Sequence, residues 1–347
     1  MINLGGRLVG PSQPCLIIAE AGVNHNGSLE LACQLVDAAA RAGADAVKFQ
    51  TFRAEAVVTP QAPKAQYQLA NTGGTESQFA MLKRLELLPE HHRTLLERCR
   101  RRGILFLSTP FDRASADLLE DLDLPAFKIP SGEITNRPLL EHIAAKGRPV
   151  ILSTGMSSLE EVARAVDILR AGGSPEIVLL HCVSNYPADP RDVNLRAMAT
   201  MARAFGLPVG YSDHTLGVEA ALAAVALGAS VIEKHFTLDR GLPGPDHPAS
   251  AEPAELAALV RGARVVEAAL GHGRKEPAAS EANTREVARR SLVAAVDIPA
   301  GAALGPEMVA LRRPGSGLAP ERLGEVLGRR ARRGIAAGEL LALEMLQ

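Results

Sequence analysis

Short apolar segments alternate with longer amphipathic segments along most of the chain, and this alternation predicts its secondary structure. In "LELACQLVDAAARAGA" the apolar residues recur at i, i+3, i+4 and i+7, as on a helix with one buried face. We predict eight strands, at 16–19, 46–49, 104–107, 126–129, 150–152, 177–180, 209–211 and 231–233. We predict a helix after each strand, at 29–42, 89–102, 113–122, 137–146, 159–171, 195–205, 217–227 and 254–269.

Strands that alternate with helices pair in parallel and are joined by right-handed crossovers. Eight such units within residues 1–272 predict an α/β fold of the (β/α)8 TIM-barrel type. A doubly wound open sheet is the alternative architecture. The chain has no GxGxxG after its first strand and no Walker sequence, so the usual nucleotide-binding signals of an open sheet are missing.

The pattern changes after Gly273. Residues 273–290 are polar and form a linker with room for one helix, whereas 291–347 contain short apolar segments between Gly and Pro turns. We therefore predict a barrel domain at 1–272, a linker at 273–290 and a small, mostly β domain at 291–347. A domain of this size has a marginal core, so we expect it to dock on another surface.

Charge and cysteine content narrow the class of protein. The chain of 347 residues has a net charge of −1, so neither nucleic acid nor a membrane surface is indicated as a partner. Its four cysteines are scattered without a CxxC motif, which is typical of reduced thiols in a cytoplasmic protein. The longest apolar run near the N-terminus, "CLIIA", is too short for a signal or membrane segment.

Polar residues follow every predicted strand, at the end where TIM barrels carry their active sites. A single Ser or Thr at such a position commonly caps the next helix. Lys48 and Lys128 lie inside apolar runs and are more informative, because burying an ammonium without an anion is costly. They predict a ligand with phosphate or carboxylate groups, which hydroxyls and loop amides would also bind.

His214 and His235 end the seventh and eighth predicted strands. Neighbouring strands lie about 4.8 Å apart, so the two imidazoles can share one metal ion. Two histidines leave an open site, which suits a divalent Lewis acid rather than a closed structural zinc. Two structural histidines with internal hydrogen bonds are the alternative. Glu233 lies two residues before His235 and therefore on the same face of the strand.

Several motifs together resemble those of the sialic acid synthase family. They are, in order, "AEAGVNHNGS", "ADAVKFQTF", "FLSTPFD", "FKIPSGEITN", "ILSTGM", "GYSDHT", "IEKHFTLDR" and "RRPGSG". The C-terminal domain resembles the antifreeze-like (SAF) domain of that family. The resemblance implies condensation of phosphoenolpyruvate with the open-chain aldehyde of an N-acetylated amino sugar, with release of phosphate.

Two acceptors fit the resemblance. N-acetylmannosamine would give N-acetylneuraminate, and 2,4-diacetamido-2,4,6-trideoxymannose would give N,N'-diacetyllegionaminate. The segment 62–78, expected at the barrel mouth, resembles both of these branches more than the pseudaminate branch, which is an alternative. One acetamido group in place of a hydroxyl changes few contacts, so family likeness does not choose between the two acceptors.

The resemblance also implies roles for single residues. It implies that His214 and His235 hold manganese, with magnesium or cobalt as alternatives, and that Glu20 or Glu233 transfers protons. Phosphoenolpyruvate would be bound by Lys48, Thr109, Lys128, Ser131, Ser153 and Ser212. The sugar would be positioned by Glu20, Gln50, Glu133, Tyr186, Asp246 and either Ser184 or Asn185, of which we assign Asn185. In a homodimer with swapped C-terminal domains, Arg313 would reach the active site of the partner and help to exclude water.

Three other functions make different demands on the sequence. A synthase for a phosphorylated sugar, of the octulosonate type, needs an additional basic cluster at the barrel mouth, and none is visible. A non-catalytic sugar-binding protein predicts broken motifs at the strand ends, whereas those of this chain are intact. A metal-dependent aldolase that uses pyruvate does not need two buried lysines for a phosphate.

Overall fold

The computed structural model describes residues 1–347 and begins with an antiparallel hairpin of β1 (Ile2–Leu4) and β2 (Arg7–Val9). Eight parallel strands then form one sheet. They are β3 (Leu16–Gly22), β4 (Ala46–Thr51), β5 (Leu105–Pro110), β6 (Phe127–Ile129), β7 (Val150–Ser153), β8 (Ile177–Cys182), β9 (Val209–Asp213) and β10 (Val231–His235).

The order of these strands is that of a closed barrel. It runs β5-β4-β3-β10-β9-β8-β7-β6, so the first and last strands of the chain, β3 and β10, are paired, with Leu16 opposite Val231. β5 and β6 lie side by side and close the ring without a ladder of paired residues. The predicted TIM barrel is confirmed, and the open doubly wound sheet is wrong.

Eleven helices belong to this part of the chain. They are α1 (Leu29–Ala42), α2 (Ala54–Val57), α3 (Gln66–Thr72), α4 (Gln78–Leu85), α5 (Pro89–Arg102), α6 (Arg113–Asp121), α7 (Arg137–Ala144), α8 (Leu159–Ala171), α9 (Arg196–Phe205), α10 (Glu219–Ala226) and α11 (Pro253–Leu270). Side chains of the preceding connections start several of them: Ser28 accepts from the N–H of Leu31, and Asp112 accepts from that of Ser115. The three short helices α2, α3 and α4 were not predicted.

The barrel interior is apolar at its lower end. Inward-facing residues such as Leu16, Ile18 and Val231 form one buried cluster with Leu4 and Val9 of the N-terminal hairpin. The hairpin therefore closes the end of the barrel at which the strands begin. Because side chains alternate along a strand, the next inward-facing position of each strand lies nearer the opposite end.

The chain divides into two compact units, Met1–Gly271 and His272–Gln347. The second contains α12 (Ala282–Ala288), β11 (Ser291–Ala294), β12 (Val309–Arg312) and α13 (Leu323–Val326), and β11 pairs with β12 antiparallel. Its core includes Leu292, Ile298, Leu304 and Leu341. The segment predicted as a linker contains α12, whose Glu286 carbonyl accepts from the N–H of Gly315 at 2.6 Å. None of the helices of the chain is long and apolar enough to span a bilayer.

Candidate active site

A layer of polar side chains lies above the apolar interior of the barrel. Glu20 follows Ile18 by two positions on β3, and Lys48 follows Ala46 on β4, so each faces inward one step nearer the carboxyl end. The layer forms the floor of a cavity of about 400 Å³. Its predicted lining residues are Glu20, Lys48, Gln50, Thr109, Lys128, Ser131, Ser153, Tyr186, Ser212, His214, Glu233, His235 and Asp246.

The ammonium of Lys48, on β4, contacts carboxylates from β3 and β10 and a hydroxyl from β5. Its Nζ lies 2.6 Å from Oε2 of Glu20 and 3.7 Å from Oε2 of Glu233, and it donates to Oγ1 of Thr109 at 2.8 Å. Gln50 Nε2 donates to the other Glu20 oxygen at 3.3 Å. The ammonium of Lys48 is therefore paired within the protein.

Lys128 approaches the same carboxylates from the other side of the barrel. Its Nζ lies 3.4 Å from Oε1 of Glu233 and donates to Ser153 Oγ at 2.7 Å, and Ser212 Oγ donates to the same Glu233 oxygen at 2.9 Å. We expected the two lysines to need an external anion. The structure adds two internal anions beside them, Glu20 and Glu233. Since Glu20 is only partly ionised near neutral pH, the binding of an external anion stays a prediction.

The two carboxyl groups differ in acidity. Burial raises the pKa of Glu20 to about 7, against the opposing effect of Lys48. Burial acts in the same direction on Glu233, but Lys128 and Lys48 outweigh it and lower the pKa of Glu233 to about 2. Near neutral pH, Glu233 is a carboxylate, whereas Glu20 exchanges its proton.

The two histidines lie together above this floor, with ring centroids 5.4 Å apart. His214 Nδ1 is 2.6 Å from the carbonyl oxygen of Val183, so it donates there and leaves a lone pair on Nε2. His235 Nδ1 is buried without a hydrogen-bond partner, 3.8 Å from Oδ2 of Asp246. Burial lowers the pKa of His214 to about 4 and that of His235 well below its usual value, so both rings are neutral.

Neutral imidazoles with a free ring nitrogen suit a metal ion. The chain has no group of three or more His, Cys, Asp or Glu side chains that could hold a metal by themselves. The pair of histidines therefore fits an open site, in which water or substrate completes the coordination, and does not fit a closed structural site.

Tyr186 covers the two histidines. Its ring centroid is 4.1 Å from that of His214, 5.2 Å from that of His235 and 5.0 Å from that of Tyr67. Burial raises the pKa of Tyr186 well above its usual value, so its hydroxyl stays protonated. This side chain offers the cavity a hydrogen-bond donor and an aromatic face.

Three predicted residues lie elsewhere. Glu133 does not line the cavity and accepts from Nδ2 of Asn136 at 2.6 Å. Asn185 is exposed, and Ser184 lines the cavity in its place, so the assignment of Asn185 is corrected to Ser184. Arg313 lies in the second unit, directly after β12, and is exposed.

Lys234 lies between two cavity residues but points away from the cavity. Its Nζ lies 2.8 Å from Oδ2 of Asp213 and donates to the carbonyl oxygen of Thr215 at 2.7 Å. The alternation of side chains along β10 thus separates a structural ion pair from the inward-facing Glu233 and His235.

The connection between β4 and α5 forms a side wall of the cavity, of which the sequence had indicated only the segment 62–78. Its cavity-lining residues all carry uncharged side chains: Val57, Val58, Ala65, Tyr67, Gln68, Gln78, Met81, Leu82 and Leu85. Met81 and Leu85 belong to a small buried cluster with Val23 and Phe52. The signal available in the sequence was the apolar set in "QFAMLKRL", which is short for a helix.

The cationic residues of this connection are all paired. Lys64 lies 3.4 Å and Arg84 3.1 Å from the Glu76 carboxylate. Lys83 lies 2.8 Å from Glu55, and it shares Glu86 with Arg53. None of these cations lines the cavity.

Comparison with known proteins places the chain among synthases of nine-carbon sugar acids. The profile of the NeuB family matches residues 35–275, and that of the SAF domain matches residues 289–347. The N,N'-diacetyllegionaminic acid synthase of Legionella pneumophila is 49% identical over 342 residues, which are 97% of this chain and 96% of that protein. The synthase of the same name from Campylobacter jejuni is 48% identical, over 94% and 98% of the two chains. The crystal structure of N-acetylneuraminic acid (sialic acid) synthetase from Leptospira borgpetersenii has a TM-score of 0.72 at 41% identity and covers 82% of this chain and 94% of that one.

Proposed function

Since the chain belongs to the NeuB family, we propose that it condenses phosphoenolpyruvate with the open-chain aldehyde of an N-acetylated amino sugar. The observation that supports this most directly is the floor of the cavity. Lys48 and Lys128 approach from opposite sides of the barrel, with the hydroxyls of Thr109 and Ser153 beside them. Phosphate and carboxylate groups are the ligands for which such a set of donors is suited.

The reaction forms one carbon–carbon bond and breaks one carbon–oxygen bond. The methylene carbon of phosphoenolpyruvate attacks the aldehyde carbon, and the aldehyde oxygen takes a proton. Water then adds to the carbon that carried the phosphate, and phosphate leaves with the bridging oxygen. Lys48, Lys128 and the hydroxyls of Thr109, Ser131, Ser153 and Ser212 would hold the phosphate and carboxylate groups throughout.

The different acidities of the two glutamates suggest separate roles. Glu20, with a pKa of about 7, is suited to give a proton to the aldehyde oxygen. Once it has given up that proton, Glu20 can accept one from the attacking water, whereas Glu233, with a pKa of about 2, is too weak a base for this step and would hold Lys48 and Lys128 in place. Gln50, Ser184, Tyr186 and Asp246 would position the sugar. A divalent metal held by His214 and His235, manganese or alternatively magnesium or cobalt, would supply Lewis-acid polarisation of the aldehyde.

The uncharged side wall supports an acceptor without a phosphate. A phosphate monoester needs cationic partners, and none of the cations of the β4–α5 connection lines the cavity. The wall combines aliphatic Leu82 and Leu85 with the amides of Gln68 and Gln78. An apolar methyl and a second acetamido group match these two surfaces, so we propose 2,4-diacetamido-2,4,6-trideoxymannose as the preferred acceptor.

Phosphate release with three acceptors tests this assignment. The enzyme is assayed with 2,4-diacetamido-2,4,6-trideoxymannose, N-acetylmannosamine and N-acetylmannosamine 6-phosphate, with product masses confirmed. We expect the trideoxy sugar to have the highest kcat/KM, by about 10- to 200-fold. Leu82→Ser should reduce this preference, whereas Leu88→Ser, which changes an exposed leucine outside the cavity, should not. Preference for the phosphorylated sugar would contradict the assignment.

We also propose a cytoplasmic homodimer in which the SAF domain of one subunit covers the barrel mouth of the other. Arg313 is exposed and has no ion pair within its own chain, which supports a role toward a partner. In this arrangement, Lys128→Met and Arg313→Ala homodimers are each impaired. After the two variants are mixed in equal amounts and reassembled, half of the dimers contain one subunit of each kind. In these mixed dimers one of the two sites has both Lys128 and Arg313, so about a quarter of wild-type activity should return. Absence of recovery would contradict the swap.

A further inference from the structure

The segment between β10 and α11, residues 236–252, carries Asp246 into the cavity and then returns beside the end of β10. The N–H of Thr237 donates to the carbonyl oxygen of Ala251 at 2.9 Å, and the N–H of Ala251 donates to that of His235 at 2.7 Å. This segment therefore connects two cavity residues, His235 and Asp246, through a short return of the backbone.

Asn24, from the connection between β3 and α1, bridges both ends of this segment. The side chain is 2% exposed, and its Nδ2 donates to the carbonyl oxygen of Phe236 and to Ser250 Oγ, each at 2.9 Å. Ser250 Oγ in turn donates to the carbonyl oxygen of Asp246 at 2.7 Å. A continuous chain of hydrogen bonds thus runs from Asn24 to the backbone of Asp246.

A second contact holds the same region from the other side. His247 Nδ1 lies 2.6 Å from Thr237 Oγ1, and its Nε2 lies 3.4 Å from Oδ1 of Asn26. The backbone at Asp246 is therefore anchored twice, at the carbonyl of Asp246 itself and at the side chain of the next residue, His247. Both anchors reach the connection that follows β3.

The carboxyl group of Asp246 depends on these anchors. It receives no hydrogen bond within the chain, and its Oδ2 lies 3.8 Å from Nδ1 of the neutral His235. Its place in the cavity is consequently set by its backbone. Small displacements of a group that orients a substrate reduce turnover strongly.

We propose that Asn24 and Ser250 form a positioning clamp that fixes Asp246 relative to His235 on the acceptor side of the cavity. Neither Asn24 nor Ser250 lines the cavity; Ser250 acts on the backbone of Asp246 directly, and Asn24 acts on it through Ser250. The clamp rests on the proposed function in one respect, since it assigns the Asp246 side of the cavity to the sugar rather than to phosphoenolpyruvate.

The test compares Ser250→Ala with Ser250→Thr, which keeps the hydroxyl. We expect Ser250→Ala to raise KM for the sugar by about tenfold and to change KM for phosphoenolpyruvate less than about twofold. Ser250→Thr should recover most of the loss. Ser115→Ala is the matched control, because it removes a buried hydroxyl that donates to Asp112 at 2.7 Å, away from the cavity. Equal changes in both KM values would overturn the proposal.

Amide hydrogen exchange tests the clamp without turnover. Asn24→Ala and Ser250→Ala should each speed exchange at residues 246–251, and the double variant should show little more than either single variant. Unchanged exchange in this segment would overturn the clamp, even for an active enzyme. Absence of phosphate release by the wild-type enzyme with every sugar would instead contradict the proposed function, and the exchange result would still decide on the clamp.

Discussion

Replacing Lys128 by Met removes one of the two ammonium groups from the cavity floor while keeping an unbranched side chain. Lys128 is 3% exposed, and its Nζ contacts only Ser153 Oγ at 2.7 Å and Glu233 at 3.4 Å. A hydrogen bond to a charged group contributes about 1.5–3 kcal/mol, so we expect the affinity for phosphoenolpyruvate to fall by about 10- to 150-fold. The fold should persist, because Glu233 keeps the hydrogen bond from Ser212 at 2.9 Å and the nearby Lys48.

The assay measures initial phosphate release against phosphoenolpyruvate concentration at saturating sugar, with circular dichroism as a check on folding. Lys146→Met is the matched control, since Lys146 is paired with Asp117 at 2.5 Å and Glu120 at 2.6 Å and does not line the cavity. A second signature is expected in the pH profile, because loss of Lys128 raises the pKa of Glu233 from about 2. An unchanged KM for phosphoenolpyruvate in folded Lys128→Met would refute the assignment of the floor.

Three further predictions concern stability, metal and pH. Lys234→Met should lower the free energy of unfolding by about 3–5 kcal/mol in urea titrations, because it leaves Asp213 buried without its cation; wild-type stability would show that the pair is unimportant. His235→Ala should stay folded and lose metal-dependent turnover, and activity that persists in excess chelator would contradict the metal site. Burial raises the pKa of Glu20 from 4.5 to about 7, so the stability that this group contributes is present below pH 4.5 and is lost as the pH rises through 7. In urea titrations across pH 5–8, the free energy of unfolding of Glu20→Gln should not show this loss. Curves of free energy against pH that run parallel for the variant and the wild type would contradict the raised pKa.

The strands and long helices of the barrel were predictable because each has a periodic apolar pattern and clear end signals. The predicted helix at 29–42 has the bounds of α1, and that at 89–102 has those of α5. The hairpin of residues 2–9 was missed because its two strands have only three residues each. Helices α2 and α4 are also short, and packing of Met81 and Leu85 against Val23 and Phe52 holds α4 in place. Such tertiary packing leaves little periodicity in the sequence.

The residues of the candidate site were largely predictable, whereas their partners were not. Alternation along a strand identifies Glu233 and His235 as sharing one face and Lys234 as lying on the other. Glu20 and Lys48 are directly opposite each other in the β3–β4 register. The contact of Lys128 with Glu233 joins β6 to β10, which are separated by three strands, and only closure of the barrel brings these side chains together. The choice between Ser184 and Asn185 fell on the wrong neighbour because a loop after β8 has no periodicity that shows which residue faces inward.

Condensation with carbon–oxygen cleavage is tested most directly by the fate of the bridging oxygen of phosphoenolpyruvate. The enzyme is incubated with phosphoenolpyruvate labelled with ¹⁸O at the bridging position, a divalent metal and 2,4-diacetamido-2,4,6-trideoxymannose, and both products are analysed by mass spectrometry. We predict acceptor-dependent release of phosphate that carries the label and a nine-carbon keto acid without it. Phosphate that lacks the label, or release of phosphate without an acceptor, would contradict condensation with carbon–oxygen cleavage at this site.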